Sequence, residues 1–472
     1  MEEEKYICYN CVGENYLKLE IEREGEIVTC SYCSSEEFYG YSLTEFADRI
    51  DTAFEQHYIL SPVSPPENVP YYLQPDWEPE GSPVSIAILD AADVSEEIAD
   101  DVREILERKH YDHESAIYGQ QNQFEEDSVY DEKKINDIEW QEQWAEFEDT
   151  LKSRNRYFNK ANEILLDSIF EGVDQLGKDS KKPAVRYIGL GTDFTSIYRA
   201  RVFQSDERLK AALEHPDKEL GAPPSEFTGA GRMNAKGISV FYGATNTLTA
   251  LAEVRPPVGS RVTVARFNLI RKLKVLDLTA LELTEVNGSI FDIEYAGLLA
   301  KTAFLKKLSQ RMTKTIMPDD EHFEYLATQV IADYLASGLG FDGIIFPSAQ
   351  SKAGLNITLF HHASRGQHLK IVEGAEINAE FFDWDGDETY ISYKVHKTLP
   401  PEGEKKKNKD MWDLPQLWIE SQTDPRPITL SIDLESLTVE HIESMIVKSQ
   451  SFPVTHFEYQ MQEKSGRELL DY

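Results

Sequence analysis

Two sets of residues in this chain have the types and spacing to do chemistry. Cys8, Cys11, Cys30 and Cys33 are the only cysteines, and they form two C-x2-C pairs. Four thiolates so spaced suit one tetrahedral Zn2+. With every ligand a cysteine, no coordination position is left for substrate, so the expected metal is structural. The second set is scattered among apolar runs: Arg199 and Arg201 in SIYRARVF, Tyr242 in SVFYGA, Glu253 ending TNTLTALAEV, Ser348 after GIIFP, and Asn356 opening NITLF. A carboxylate in the last turn of a helix faces the negative end of its dipole, so helix stability does not explain Glu253. Arginines on a strand call for an anion, because a desolvated guanidinium is costly.

Strand alternation places Ile197, Arg199, Arg201 and Phe203 on one face of SIYRARVF. On TNTLTALAEV, Leu248, Leu251 and Ala252 read as the apolar face, with Glu253 off it beside Thr249 and Ala250. Arg255-Pro256 ends that helix, since the residue before proline avoids the α region. Between the cysteine pairs, YLKLEIEREGEIVTC alternates like a hairpin turning at Glu24-Gly25, which gives a zinc ribbon over residues 1–45. Residues 46–180 read as a mostly helical domain with a loop near 62–83. Ser95 is placed to cap a helix through Ile98, Val102 and Leu106. Trp140, Trp144, Phe147 and Leu151 form a helical stripe that continues through Tyr157, Phe158, Leu165 and Phe170.

From 181 to 375 the texture is α+β: short strands such as RVTVARFNL, LKVLDL and GIIFP, and helices near 294–312 and 322–337. Residues 376–472 form a C-terminal extension, read as a small added module with strands ITLSIDL and VTHFEYQM around a helix TVEHIESMIVKS. The basic run at 405–409 reads as a solvated loop.

A chain of 472 residues exceeds one core and calls for several domains. Its net charge of −36 weighs against broad binding to nucleic acid or an anionic membrane. No apolar run reaches membrane-spanning length, and the acidic start MEEEKYICYN lacks a signal-peptide core, so a cytoplasmic protein is expected. Arg108 and His113 have the R-x4-H spacing of an RNA-cleaving motif, which opens a nucleic-acid reading with the zinc ribbon. So short a pattern is a weak signal, and a solvated helix end with ordinary Arg and His is the favoured reading.

Taken together, YRAR, GRMNAKGISVFYGATNTLTALAEV and GFDGIIFPSAQ…GLNITLF resemble the RES domain, over about residues 185–375. The segment before it resembles the HEPN-like helical domain that accompanies some RES domains. The resemblance implies an ADP-ribosyltransferase-like fold and a toxin that consumes NAD+ by hydrolysis or phosphorolysis, or that transfers ADP-ribose to a macromolecule. It also implies an antitoxin or regulatory protein as partner, while the oligomeric state, including a homo-oligomer, stays open. By motif, Arg199, Tyr242, Glu253 and Ser348 take the catalytic positions, and Arg201, Arg232 and Asn356 join them in binding NAD+. The zinc ribbon, helical domain and extension depart from small RES toxins.

Overall fold

The computed structural model describes residues 4–62, 78–113, 117, 121–154, 159–178, 182–351, 353–386, 388–400, 424–446 and 449–458. It begins with β1 (Tyr6–Cys8), α1 (Asn15–Glu24), β2 (Glu26–Val28), β3 (Phe38–Ser42) and α2 (Leu43–His57). The expected hairpin between the cysteine pairs is therefore corrected: its first half is helix α1. Glu14 starts it by accepting a 2.7 Å bond from the Leu17 amide. Leu17 and Ile21, one turn apart, are buried, while Leu19, which completed the strand-like alternation, is 63% exposed. Leu at positions 17 and 19 with Ile at 21 satisfies both periods; burial selects the helical one.

Next come β4 (Tyr58–Leu60), β5 (Ser82–Pro83), α3 (Val84–Ala92), α4 (Glu96–His110) and β6 (Val129–Glu132). Strands β4, β6 and β5 form a small sheet within the mostly helical segment. Ser95 sits at the N-cap of α4, although its side chain makes no capping bond. One buried cluster joins Leu17 and Ile21 to Phe46 and Ile50 of α2, Val102 and Leu106 of α4, and the distant Phe291. The cysteine-bearing piece thus shares its core with the helices that follow, and α2 runs across the expected boundary at residue 45.

The aromatic stripe is carried by two helices, α5 (Ile138–Ser153) and α6 (Lys160–Phe170). Asn159 begins the second by accepting from the Ala161 and Asn162 amides. Tyr157 and Phe158 lie outside the described residues. Trp144, Phe147, Leu166 and Ile169 pack into the main core with Phe304, Ile331 and Ile344.

The remaining elements are β7 (Val185–Gly189), β8 (Ser196–Phe203), α7 (Asp206–Glu214), α8 (Pro216–Glu219), β9 (Phe241–Ala244), α9 (Thr247–Glu253), β10 (Arg261–Leu269), β11 (Lys272–Asp277), α10 (Leu278–Leu283), α11 (Tyr295–Thr313), α12 (Glu321–Ser337), β12 (Gly343–Pro347), β13 (Leu355–Leu359), β14 (Glu376–Asp385), β15 (Glu388–Thr398) and β16 (Leu430–His441). Eight strands form one mixed sheet in the order β16-β10-β8-β9-β13-β12-β11-β7. All neighbours are antiparallel except β11 and β12. Strands β14 and β15 make a separate hairpin.

The tail departs from expectation. Residues 438–441, read as helix, extend β16, which pairs with β10 from Arg261↔His441 to Leu269↔Leu430. Antiparallel pairing of residues 438–441 with Arg261, Val262, Thr263 and Val264 of β10 overrides the local helical pattern. Among its described residues, the tail thus supplies an edge strand of the central sheet. Residues 454–457 carry no strand, and the basic run at 405–409 lies outside the described residues. Among the described residues, no helix is long and apolar enough to cross a membrane.

Candidate active site

The sheet is weakest between β8 and β9, which share a single registered pair, Tyr198↔Ala244. By contrast β8 and β10 pair along eight residues. Where the two strands part, a cavity of about 340 Å³ opens, lined by Tyr198, Arg199 and Ala200 from β8 and by Tyr242, Gly243 and Ala244 from β9. Glu253, Arg255, Arg232, Tyr325, Gln350 and Asn356 complete its wall. The size falls within the range of small-molecule sites.

Helix α9 brings Glu253 there. Asn246 caps it by accepting a 2.8 Å bond from the Thr249 amide. The buried face is Thr249 and Ala250, whereas Leu248 is 77% exposed. The apolar face read from the sequence is thus shifted: Leu248 leaves it, while Leu251 still packs against the same cluster as Ala250. Ala250 packs on Ala200, Ala244, Val262 and Val264, small side chains that let the helix lie close to the sheet. Glu253, three and four residues past that pair, therefore points inward. Gly354 is required beside it, since a Cβ there would lie 2.2 Å from Thr249 Oγ1.

The carboxylate is held by one oxygen. Ser348 Oγ donates to Glu253 Oε1 at 2.5 Å and Asn356 Nδ2 donates to the same atom at 2.9 Å. Among the described residues, no side chain bonds Oε2 and no cation pairs with Glu253. Ser348 Oγ also accepts from the Gln350 and Ser351 amides, at 3.1 and 3.0 Å. A hydroxyl has one proton and two acceptor sites, so Ser348 is fully used within the protein. It does not line the cavity.

Arg199 differs from the other arginines. Its Nη1 is buried without a hydrogen-bond partner among the described residues. Its guanidinium lies 4.6 Å from the centre of the Phe241 ring, a cation–π contact. Burial first, and then the neighbouring Arg201 charge, lowers its pKa to about 10. It stays charged at neutral pH. Asn356 Oδ1 is likewise buried and unpartnered. One cavity wall thus holds an orphan donor and an orphan acceptor.

Residues 196–385 match the family model for the RES domain. This chain carries a RES domain. The family is associated with NAD-related toxin activity in general. No curated protein and no solved structure matches the chain.

Within the RES domain, most residues named from the sequence converge. Arg199, Arg232, Tyr242, Glu253 and Asn356 line one cavity, and Ser348 touches it through Glu253. Arg201 does not reach it: its guanidinium bonds Glu219, with Oε2 at 3.1 Å, beside the Phe203 ring. Arg232 lines the cavity with its charge already spent on backbone. Its Nη1 and Nη2 donate to the Met312 and Lys314 carbonyls, both at 2.8 Å. Tyr242 O–H donates to Asn234 Oδ1 at 2.8 Å and accepts from the Met233 amide at 3.1 Å. Burial pushes its pKa up to about 12, so the phenol remains neutral. Gly231 permits this approach, because a Cβ there would fall 2.7 Å from the phenol oxygen. Gln350 was not named from the sequence, and Arg255 was named only as the residue that ends the helix; its position two residues after Glu253 was the one available sign of a place in the cavity.

The cysteines form a separate centre. Their sulfurs lie within 4.8 Å of one another. Cys8–Cys33, Cys11–Cys30 and Cys8–Cys11 are 3.6, 3.7 and 3.8 Å apart. A tetrahedron of sulfurs about 2.3 Å from Zn2+ has edges of about 3.8 Å, so this cluster is compatible with a zinc site. Arg108 donates from Nε to the Glu104 carbonyl within α4, and His113 is exposed beyond the end of that helix.

Proposed function

We propose that the cavity binds NAD+ and cleaves its nicotinamide–ribose bond, with the cysteine cluster holding a structural zinc elsewhere. The observation that carries this is the pairing of Glu253, fixed through Oε1 with Oε2 unbonded among the described residues, with the orphaned Arg199 cation in the same cavity. As the C–N bond breaks, its electron pair returns to nicotinamide and positive charge builds on the ribose. A fixed carboxylate stabilises that charge more than it stabilises the ground state. Water then bonds to the sugar carbon and loses a proton, giving ADP-ribose; phosphate in place of water gives the phosphorolytic product.

Arg199 suits the pyrophosphate, because its planar fork makes charge-assisted bonds. Tyr242 serves through its ring, since its hydroxyl is occupied and neutral at physiological pH. Ser348 and Asn356 position the carboxylate. Loss of NAD+ from a cell fits a toxin or phage-defence effector restrained by an antitoxin. Purified protein should release nicotinamide from NAD+, and Glu253→Gln should lose roughly 10²–10³ in rate while still binding ADP-ribose. Unchanged release in that variant overturns the assignment. Repeating the reaction with phosphate, and with labelled NAD+ plus cell extract, separates hydrolysis from phosphorolysis and from ADP-ribosyl transfer.

A further inference from the structure

Arg255 lines the same cavity and is unlike its neighbours in backbone and in pairing. Its φ is 43°, in the left-handed region, although it precedes Pro256, where extended backbone is usual. Such a conformation is costly for any residue but glycine and persists where surrounding structure imposes it. The turn is fixed by the Arg255 amide, which bonds the Ala252 carbonyl at 3.2 Å, and by the proline that follows. Arg255 is an exposed residue that lines the cavity, which places it at the mouth.

There, with the Gln350 amide turned to accept, its oxygen lies 3.2 Å from Arg255 Nε and 2.9 Å from Nη2. No carboxylate pairs with Arg255 among the described residues. A guanidinium has five N–H donors, so this contact fixes one edge and leaves the other donors unassigned. Gln350 in turn sits on the loop whose amide bonds Ser348, the residue that holds Glu253. The cavity carries three arginines against one glutamate. Arg232 is committed to backbone carbonyls and Arg199 lies at the inner wall. Arg255 is the cation left at the entrance.

We propose that Arg255 is a specificity residue that grips a phosphoryl group of the ligand at the mouth of the cavity, steadied by Gln350. This rests on the dinucleotide reading above. It makes the site selective for ligands that keep a pyrophosphate, such as NAD+ and ADP-ribose, over nicotinamide riboside, which has the same scissile bond and no phosphate. Lysine would keep the charge and lose the fork.

The test is calorimetric binding of ADP-ribose at low salt to wild type, Arg255→Gln and Arg255→Lys, together with kcat/KM for NAD+ and for nicotinamide riboside. Loss of a charge-assisted contact predicts affinity weakened roughly ten- to hundred-fold in Arg255→Gln, with Arg255→Lys between it and wild type. The preference for NAD+ over the riboside should fall by a similar factor, and KM should rise more than kcat falls. If wild type binds ADP-ribose and Arg255→Gln binds it equally well, Arg255 has no such role and the dinucleotide reading stands. If wild type binds no ADP-ribose, both fall together.

Discussion

Replacing Ser348 by alanine separates two roles, holding Glu253 or touching the ligand directly, for a residue that the motif resemblance places at a catalytic, NAD+-binding position. In the structure its proton goes to Glu253 Oε1 at 2.5 Å, and both acceptor sites go to backbone amides. Alanine removes one of the two bonds that fix the carboxylate and leaves the Asn356 bond at 2.9 Å. A hydrogen bond to a charged group contributes about 1.5–3 kcal/mol, so nicotinamide release should fall roughly ten- to hundred-fold, less than on losing the carboxylate. The freed Gln350 amide belongs to an exposed residue and can bond water, while the freed Ser351 amide belongs to a half-buried one, so the stability cost should be about 1–2 kcal/mol. Turnover and ADP-ribose binding should be measured on the wild-type and Glu253→Gln backgrounds. A residue that acts through Glu253 loses its effect once the carboxylate is gone, so Ser348→Ala should cost little in the second background. Equal losses on both backgrounds, or a loss of ADP-ribose affinity matching the loss of rate, refutes the positioning role and makes Ser348 a direct ligand contact.

Arg199→Met should abolish ligand binding yet raise the thermal midpoint, since an unpartnered buried donor costs about 1–3 kcal/mol; a lowered midpoint would contradict the orphaned state of Nη1. Because burial lowers the folded pKa of Arg199 to about 10, well below the ordinary guanidinium range, its charge penalises folding fully below that value. Ligand binding by the wild-type protein should accordingly be flat through neutral pH and weaken as pH rises past about 10; binding that holds unchanged past that pH would refute the role of the Arg199 charge. Elemental analysis should find zinc, and Cys8→Ser should lose it and lower the stability of the N-terminal core, as followed by hydrogen exchange at α1 and α2. Phe291→Ala should cost about 3–5 kcal/mol, because that ring is 2% exposed within the same core; a loss below 1 kcal/mol would show that the contact does not couple the two parts.

The strands that build the cavity were legible because each is a short β-rich run bounded by turns; β10 spans RVTVARFNL end to end. The convergence of Arg199, Tyr242, Glu253 and Asn356 came from motif order, not periodicity. Periodicity failed where elements are short or two-faced. On seven-residue α9 the buried side is set by small alanines against the sheet, and Leu248 is left in solvent. In α1 three alternating apolar residues fit two periods. Arg201 has the same parity as Arg199, but the nearby Glu219 draws it away, a partner that only the tertiary structure brings close.

Strand β16 has a practical consequence for anyone isolating the RES domain. The family match stops at residue 385, well short of this strand. A fragment cut there would strip the outer flank of β10 and bare a row of unpaired amides and carbonyls nine residues long. Such a flank recruits any extended chain, including its twin in another molecule. Clumping of the shortened protein would then report a missing neighbour, not a defect in the pocket.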